Sequence, residues 1–165
     1  MGTGGLTFDP VTARILAFLD GIGIPVLIAA LEEGTLLPAM TVRGGALVID
    51  PARLTWTGDL LHEAGHIAVT DPALRTTLCD VPSDPAEEMA AIAWSYAAAI
   101  DIGIDPKIVF HDDGYCGGGG YLADAFDDGG APGVPILQWF GMTVGKRDAD
   151  KEGVVAFPHM LRWVR

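Results

Sequence analysis

Five consecutive residues, His62-Glu63-Ala64-Gly65-His66, combine two imidazoles and a carboxylate at a spacing suited to metal chemistry. Histidines four positions apart lie on the same face of an α-helix, so both rings can bind one tetrahedral Zn²⁺. Glu63 lies beside them and could accept a proton from a zinc-bound water, which makes it a candidate general base for hydrolysis. The pattern therefore predicts one Zn²⁺ per chain, held in part by His62 and His66, with Glu63 as the base.

The residues around this pattern predict a helix with two chemically different sides. Thr57 or Asp59 could cap its N-terminus, and Asp71-Pro72 would end it. Segregation of polar from apolar positions favours a functional site. The alternative is a solvent-exposed helix face whose two histidines bind no metal. The apolar positions are Leu60, Leu61, Ala64, Ile67 and Ala68.

A second predicted helix offers the third metal ligand that a catalytic zinc site needs. Asp84 suits its N-cap and Pro85 its first position, and the helix would continue to Ile100. In this register Glu87 is at the third position, where a capping-box carboxylate bonds back to the backbone. Glu88 is free of that role and is the preferred ligand. Its alternative is an acid that only favours the positive end of the helix dipole.

Small side chains on both predicted helices would let their backbones approach closely. Ala64 and Gly65 lie on the first helix, and Ala91 and Ala99 share a face with Glu88 on the second. Close approach would bring the Glu88 carboxylate to the two histidines.

Together the two segments resemble the zincin metallopeptidases, and among them the gluzincins, in which a glutamate on the following helix completes the site. The run Glu88-Met89-Ala90-Ala91-Ile92-Ala93-Trp94 is similar to the E-x-x-A-x-x-aromatic segment of the small soluble ImmA/IrrE-like zinc peptidases. Ala46-Leu47-Val48-Ile49-Asp50 is similar to the strand that precedes their zinc helix. The resemblance covers about residues 46–100, and it implies a minimal zincin-like core and peptidase activity.

A zinc peptidase also needs a donor for the oxyanion of its tetrahedral intermediate. His111 is the candidate, with Tyr115 four residues further on; the alternative is a polar surface histidine beside Asp112 and Asp113. The glycine-rich residues 114–121 lack the lysine and hydroxyl residue of a phosphate-binding loop, so they predict a flexible surface loop.

The remaining pattern predicts an α+β fold in one domain, residues 1–165. A helix is expected over residues 11–19, started by Asp9-Pro10 and ended by Gly21 and Gly23, and Gly44-Gly45 predicts the tip of a hairpin. The segment from Pro25 to Leu31 is compatible with a strand or a buried helix. A small twisted sheet would pack against the two zinc helices, and the C-terminal third is expected to be rich in loops.

Charge and hydropathy narrow the possible partners. Ten Lys and Arg against 22 Asp and Glu give a net charge of −12 without an evident basic patch, which argues against nucleic acid. No apolar run reaches the roughly 18 residues of a membrane span. The first residues do not resemble a signal peptide, so a cytoplasmic protein acting on peptides or proteins is expected. The sequence does not determine the oligomeric state.

These observations predict a zinc-dependent hydrolase, specifically a peptidase. One alternative is a catalytically silent metal-binding protein that uses a zincin scaffold for regulation or interaction; another is an incidental motif. Glu63 favours the enzyme, because a purely structural metal site does not require a base at that position.

Overall fold

The computed structural model describes residues 5–35, 37–79, 84–128 and 132–165, which form a mixed α+β arrangement and confirm the predicted class at that level. No helix within these ranges combines the length and the apolar character needed to cross a membrane. In chain order the elements are α1 (Pro10–Gly21), β1 (Val26–Ile28), β2 (Met40–Arg43), β3 (Ala46–Ile49), α2 (Asp59–Val69), α3 (Pro72–Arg75), α4 (Pro85–Ile102), α5 (Pro106–Val109), a 3₁₀ turn (Tyr115–Gly117), α6 (Gly119–Asp127), α7 (Val134–Trp139) and α8 (Lys146–Glu152).

Two helices begin where the sequence predicts. Asp9 caps α1 by accepting hydrogen bonds from the backbone N–H groups of Val11 at 3.0 Å and Thr12 at 3.1 Å. Asp84 caps α4 in the same way and accepts from Ala86 N at 2.8 Å. These side chains satisfy amide donors that have no partner within the helix, which is why the helices start there.

The sheet has the strand order β1-β3-β2, with β1 parallel and β2 antiparallel to the central β3. Gly44 and Gly45 join β2 to β3 with φ of +59° and +73°, the left-handed conformation that a tight hairpin turn requires at both central residues. The predicted hairpin is therefore confirmed. The segment after Pro25, which the sequence leaves open between strand and helix, contains β1.

Helices α2 and α4 pack against each other in the core, because small residues meet at their contact. A Cβ on Gly65 would lie 3.2 Å from Cε3 of the buried Trp94, so this contact has no room for a larger residue without a shift. The small-residue packing expected from the sequence is present at Gly65.

The prediction of a flexible surface loop over residues 114–121 is wrong, although much of the described C-terminal third lies outside helices and strands, as predicted. The 3₁₀ turn and the start of α6 occupy most of this segment, and α7 and α8 follow in the described part of the region. Gly119 is buried, and a Cβ there would lie 2.2 Å from the carbonyl oxygen of His111. Glycine at this position therefore permits close packing of the backbone rather than mobility. Residues 129–131 of the C-terminal third lie outside the described residues.

The N-terminus of α2 also differs from the prediction of a Thr57 or Asp59 cap. Its N-cap is Gly58, which makes no side-chain cap, and a Cβ there would lie 1.9 Å from the carbonyl oxygen of Ile108. The Thr57 hydroxyl instead pairs with that of Thr12 at 2.7 Å. Since α5 packs directly on Gly58, tertiary contact decides this helix end.

Candidate metal centre

Three side chains converge where α2 faces the first turn of α4. His62 and His66 are one helical turn apart on α2, and their Nε2 atoms are 3.1 Å from each other. Glu88 of α4 places Oε1 3.3 Å from His62 Nε2 and Oε2 3.0 Å from His66 Nε2. The structure thus brings together the three residues that the sequence proposes as ligands.

These separations suit a single small cation. Ligand atoms about 2.0 Å from a tetrahedral Zn²⁺ lie about 3.3 Å from one another, close to the spacings in this cluster. Each of His62, His66 and Glu88 offers one donor atom, and the three lie within 4.8 Å of one another. A His/His/Glu group at this spacing could bind a metal ion and would leave a fourth position open.

The Glu88 carboxylate is held in its charged form. Hydrogen bonds from His62 and His66 hold its pKa well below the usual range of a glutamate. Its side chain is 41% exposed whereas that of His66 is 2% exposed, so the cluster is closed on the α2 side and open near Glu88.

Glu87 occupies the third position of α4, as the sequence predicts, but the predicted capping box is absent from the described contacts. The cap is made by Asp84 alone, through Ala86 N. Glu87 therefore neither joins the metal cluster nor contributes a cap among the residues described.

Glu63 is the buried acid of the site. It is 7% exposed, and burial raises its pKa to about 7, with the neighbouring charges of Glu88 and Asp59 adding to the effect and His66 opposing it. Glu63 lines the same cavity as the three candidate ligands. Its location fits a group that exchanges protons with a molecule bound there.

The cavity above the cluster has a volume of about 690 Å³. Part of its wall is apolar and comes from residues between β1 and α2, whereas its floor carries the candidate ligands and Glu63. Arg53 is the one arginine or lysine among the described residues of this lining, and its guanidinium donates to the Leu31 carbonyl at 3.0 Å. The apolar residues of the wall include Leu37, Pro38, Ala39, Met40, Leu54 and Trp56.

His111 also lines this cavity, and it is buried rather than a polar surface histidine, so that alternative is wrong. Its Nε2 donates to Asp59 Oδ1 at 2.8 Å, because a carboxylate can only accept. The Trp56 ring stacks on it, with ring centroids 4.3 Å apart and planes 10° from parallel. Its Nδ1 is buried without a hydrogen-bond partner among the described residues. The role of oxyanion donor stays a prediction.

Two neighbours of the cluster were not predicted as site residues. Asp59 orients His111, whereas the sequence suggests only a helix cap or a place on the polar face of α2. The Tyr115 and His62 rings lie edge to face, with centroids 5.2 Å apart and planes at 77°. Burial, reinforced by nearby carboxylates, raises the pKa of the Tyr115 hydroxyl, and the neighbouring Ser95 hydroxyl opposes this rise. Position in sequence gives no signal for either contact, because both join segments that are distant in the chain.

Tyr115 is held in an unusual backbone conformation. Its φ of +55° is left-handed, which residues other than glycine adopt only when the surrounding structure requires it. Gly114 before it lies against the His111 ring, where a Cβ would be 3.2 Å from Cε1. Packing of this segment on His111 thus accompanies the placement of the Tyr115 ring on His62.

A scan against protein-family models finds no match for this chain, and searches among curated proteins and among solved structures likewise find none. The interpretation of the site therefore depends on its own geometry.

Proposed function

We propose that this protein is a zinc-dependent hydrolase that cleaves peptide bonds. The observation that supports it most directly is the convergence of the donor atoms of His62, His66 and Glu88 beside the buried carboxylate of Glu63. Two imidazoles and one carboxylate are a donor set that zinc hydrolases use, with one coordination position left for the reaction. When bound, Zn²⁺ supplies a Lewis acid that activates water at neutral pH.

In this proposal different side chains bind the metal and transfer the proton. His62, His66 and Glu88 hold the metal. Glu63 takes a proton from the attacking water and later delivers it to the leaving amine, so one carboxylate serves as base and then as acid. Burial raises the pKa of Glu63 to about 7, which suits a group that must first accept and then donate a proton.

His111 is the proposed donor to the oxyanion of the tetrahedral intermediate. His111 lies in the cavity lining, but its Nε2–H is occupied by Asp59 and its Nδ1 is buried. To serve as donor, His111 would have to exchange Asp59 for the substrate. In this proposal a bound peptide displaces Asp59 from His111, and the freed Nε2–H donates to the oxyanion.

The cavity wall supports a preference for peptides with an apolar side chain near the scissile bond. Trp56 and Leu37 stand on the wall above a floor of carboxylates, so an apolar group can be buried while the peptide backbone reaches the metal. The net charge of −12 also favours neutral or basic peptides over acidic ones.

Glu63→Gln tests the proposal, because this variant keeps the size of the side chain and removes its proton-transfer function. Purified protein should contain one Zn²⁺ per chain by elemental analysis, and a peptide library should show cleavage near apolar residues. Glu63→Gln should retain the metal and lose turnover by about 100-fold or more, whereas Glu87→Gln should retain both. Full activity in Glu63→Gln would exclude the mechanism. Metal without any turnover in the wild type would favour the silent metal-binding alternative.

A further inference from the structure

Unpartnered buried polar atoms of the described side chains are confined to one place. They are His62 Nδ1, His111 Nδ1 and the Tyr115 hydroxyl, and all three residues line the cavity of the candidate metal centre. Buried polar groups normally have hydrogen-bond partners, because leaving one without a partner costs its full desolvation energy. A concentration of such atoms at a single site indicates a function rather than scattered imperfect packing.

Two of these atoms belong to side chains that touch. The Tyr115 and His62 rings meet edge to face with centroids 5.2 Å apart, and each carries one buried atom without a partner at hydrogen-bonding distance. The Ser95 hydroxyl is close enough to lower the pKa of Tyr115, but its own proton goes to the Ile92 carbonyl at 2.9 Å. Their hydrogen-bonding properties are complementary. If Nε2 of His62 binds a metal, its Nδ1 must carry the proton and act as a donor, while a phenol oxygen can accept.

We propose that Tyr115 is a positioning residue for the metal ligand His62: its hydroxyl accepts the Nδ1–H of that ring through one buried water. Metal-binding histidines commonly donate their second N–H to such a partner, which fixes the tautomer and the orientation of the ring. His62 has no other partner for this atom among the described residues. The inference rests on the proposed metal site.

A competing role for Tyr115, direct contact with the substrate, is less consistent with the structure. The hydroxyl oxygen is buried from solvent even though the ring contributes to the cavity wall. A group that stabilises a substrate oxyanion must present its donor to the bound molecule. A buried hydroxyl against a ligand ring is better placed to orient that ring.

The left-handed backbone of Tyr115 is consistent with this role. A φ of +55° is unfavourable for tyrosine, and such conformations occur where the surrounding structure holds a side chain in a required place. Holding the ring on His62 accounts for the use of tyrosine at a turn position in a segment otherwise rich in glycine.

Tyr115→Phe separates a hydrogen-bonding role from a packing role, because it keeps the ring and removes only the hydroxyl. Tyr121→Phe is the matched control, since Tyr121 is 78% exposed on α6. Metal-free forms of the three proteins would be titrated with Co²⁺ in competition with a chelator while visible absorption is recorded. We expect Co²⁺ binding about 10- to 100-fold weaker in Tyr115→Phe, with altered absorption bands, and no change in Tyr121→Phe.

Thermal unfolding of the metal-free proteins separates this role from a purely structural one, because loss of a structural hydroxyl would lower the melting temperature. The melting temperature of metal-free Tyr115→Phe should equal or exceed that of the wild type, because the substitution removes an unpaired buried hydroxyl. The same variant should bind metal more weakly. Wild-type Co²⁺ affinity and spectrum in Tyr115→Phe would overturn the inference and leave the proposed function intact. Failure of the wild type to bind Co²⁺ or Zn²⁺ would overturn both.

A second measurement does not depend on the variant folding. In ¹⁵N-labelled, Zn²⁺-loaded wild type, the Nδ1–H of His62 should give a proton resonance that is protected from exchange with solvent. Rapid exchange of that proton would contradict the proposed hydrogen bond, whatever the behaviour of Tyr115→Phe.

Discussion

Gly65 of α2 lies against the backbone of Ala91 in α4, where a Cβ on Gly65 would be 3.0 Å from the Ala91 carbonyl oxygen. The contact lies one residue before His66 and less than one helical turn after Glu88, so it sets the separation of the two helices that carry the candidate ligands. A carbonyl oxygen within a helix cannot move aside as a flexible side chain can. The distance between His66 and Glu88 therefore depends on the absence of a side chain at residue 65.

Gly65→Ala should consequently weaken both folding and metal binding. We expect the free energy of unfolding to fall by about 1–3 kcal/mol through overpacking, and metal affinity to fall because α4 is displaced from α2. Chemical denaturation and a chelator titration would measure the two effects. Gly21→Ala, at the end of α1 where no atom lies within 4 Å of an added Cβ, is the control and should change stability by less than about 0.5 kcal/mol. Equal behaviour of the two variants would refute this role of Gly65.

The adjacent acids of α4 should respond differently to truncation. Glu88→Ala removes the carboxylate that accepts from both histidines, and metal affinity should fall by more than about 100-fold because only two protein ligands remain. Glu87→Ala should leave affinity unchanged. It should also cost less than about 0.5 kcal/mol of stability, because the described contacts give its side chain no cap to lose.

Competition with a chelator on both proteins would decide the assignment of the third ligand. Loss of metal in Glu87→Ala with retention in Glu88→Ala would place the helix register one residue away from the structure. Retention in both would move the third ligand to another residue, and His111 would be the first to test.

Neighbouring glycines at the start of α6 provide a matched pair for the packing of the glycine-rich segment. A Cβ on Gly119 would lie 2.2 Å from the His111 carbonyl oxygen, whereas one on Gly120 would meet only Asp112 Oδ1 at 3.5 Å. We expect Gly119→Ala to destabilise the protein by about 2 kcal/mol or more. Gly120→Ala should be neutral, or stabilising by up to about 1 kcal/mol, since alanine favours the helix.

Thermal or denaturant unfolding of these two variants would compare them directly. If the segment were a flexible surface loop, both substitutions would have the same small effect. A difference in the expected direction would show that Gly119 holds this segment against His111, next to the candidate metal centre.

The sequence was sufficient to predict those features of the structure that depend only on residues close together in the chain. The spacing of His62 and His66 places them on one helical face whatever surrounds the helix, and Asp84 sets the register of α4 through its own hydrogen bond to Ala86. Gly44 and Gly45 similarly determine the turn between β2 and β3, because few other residues adopt their φ values.

Contacts between distant segments could be read only from the tertiary structure. The pairing of His111 with Asp59 and the contact of Tyr115 with His62 join residues about 50 positions apart, and no periodicity marks them. Glycine is ambiguous in sequence for the same reason. At Gly58 and Gly119 it permits backbone contact rather than flexibility, and this depends on Ile108 and His111 lying against them, which the fold alone decides.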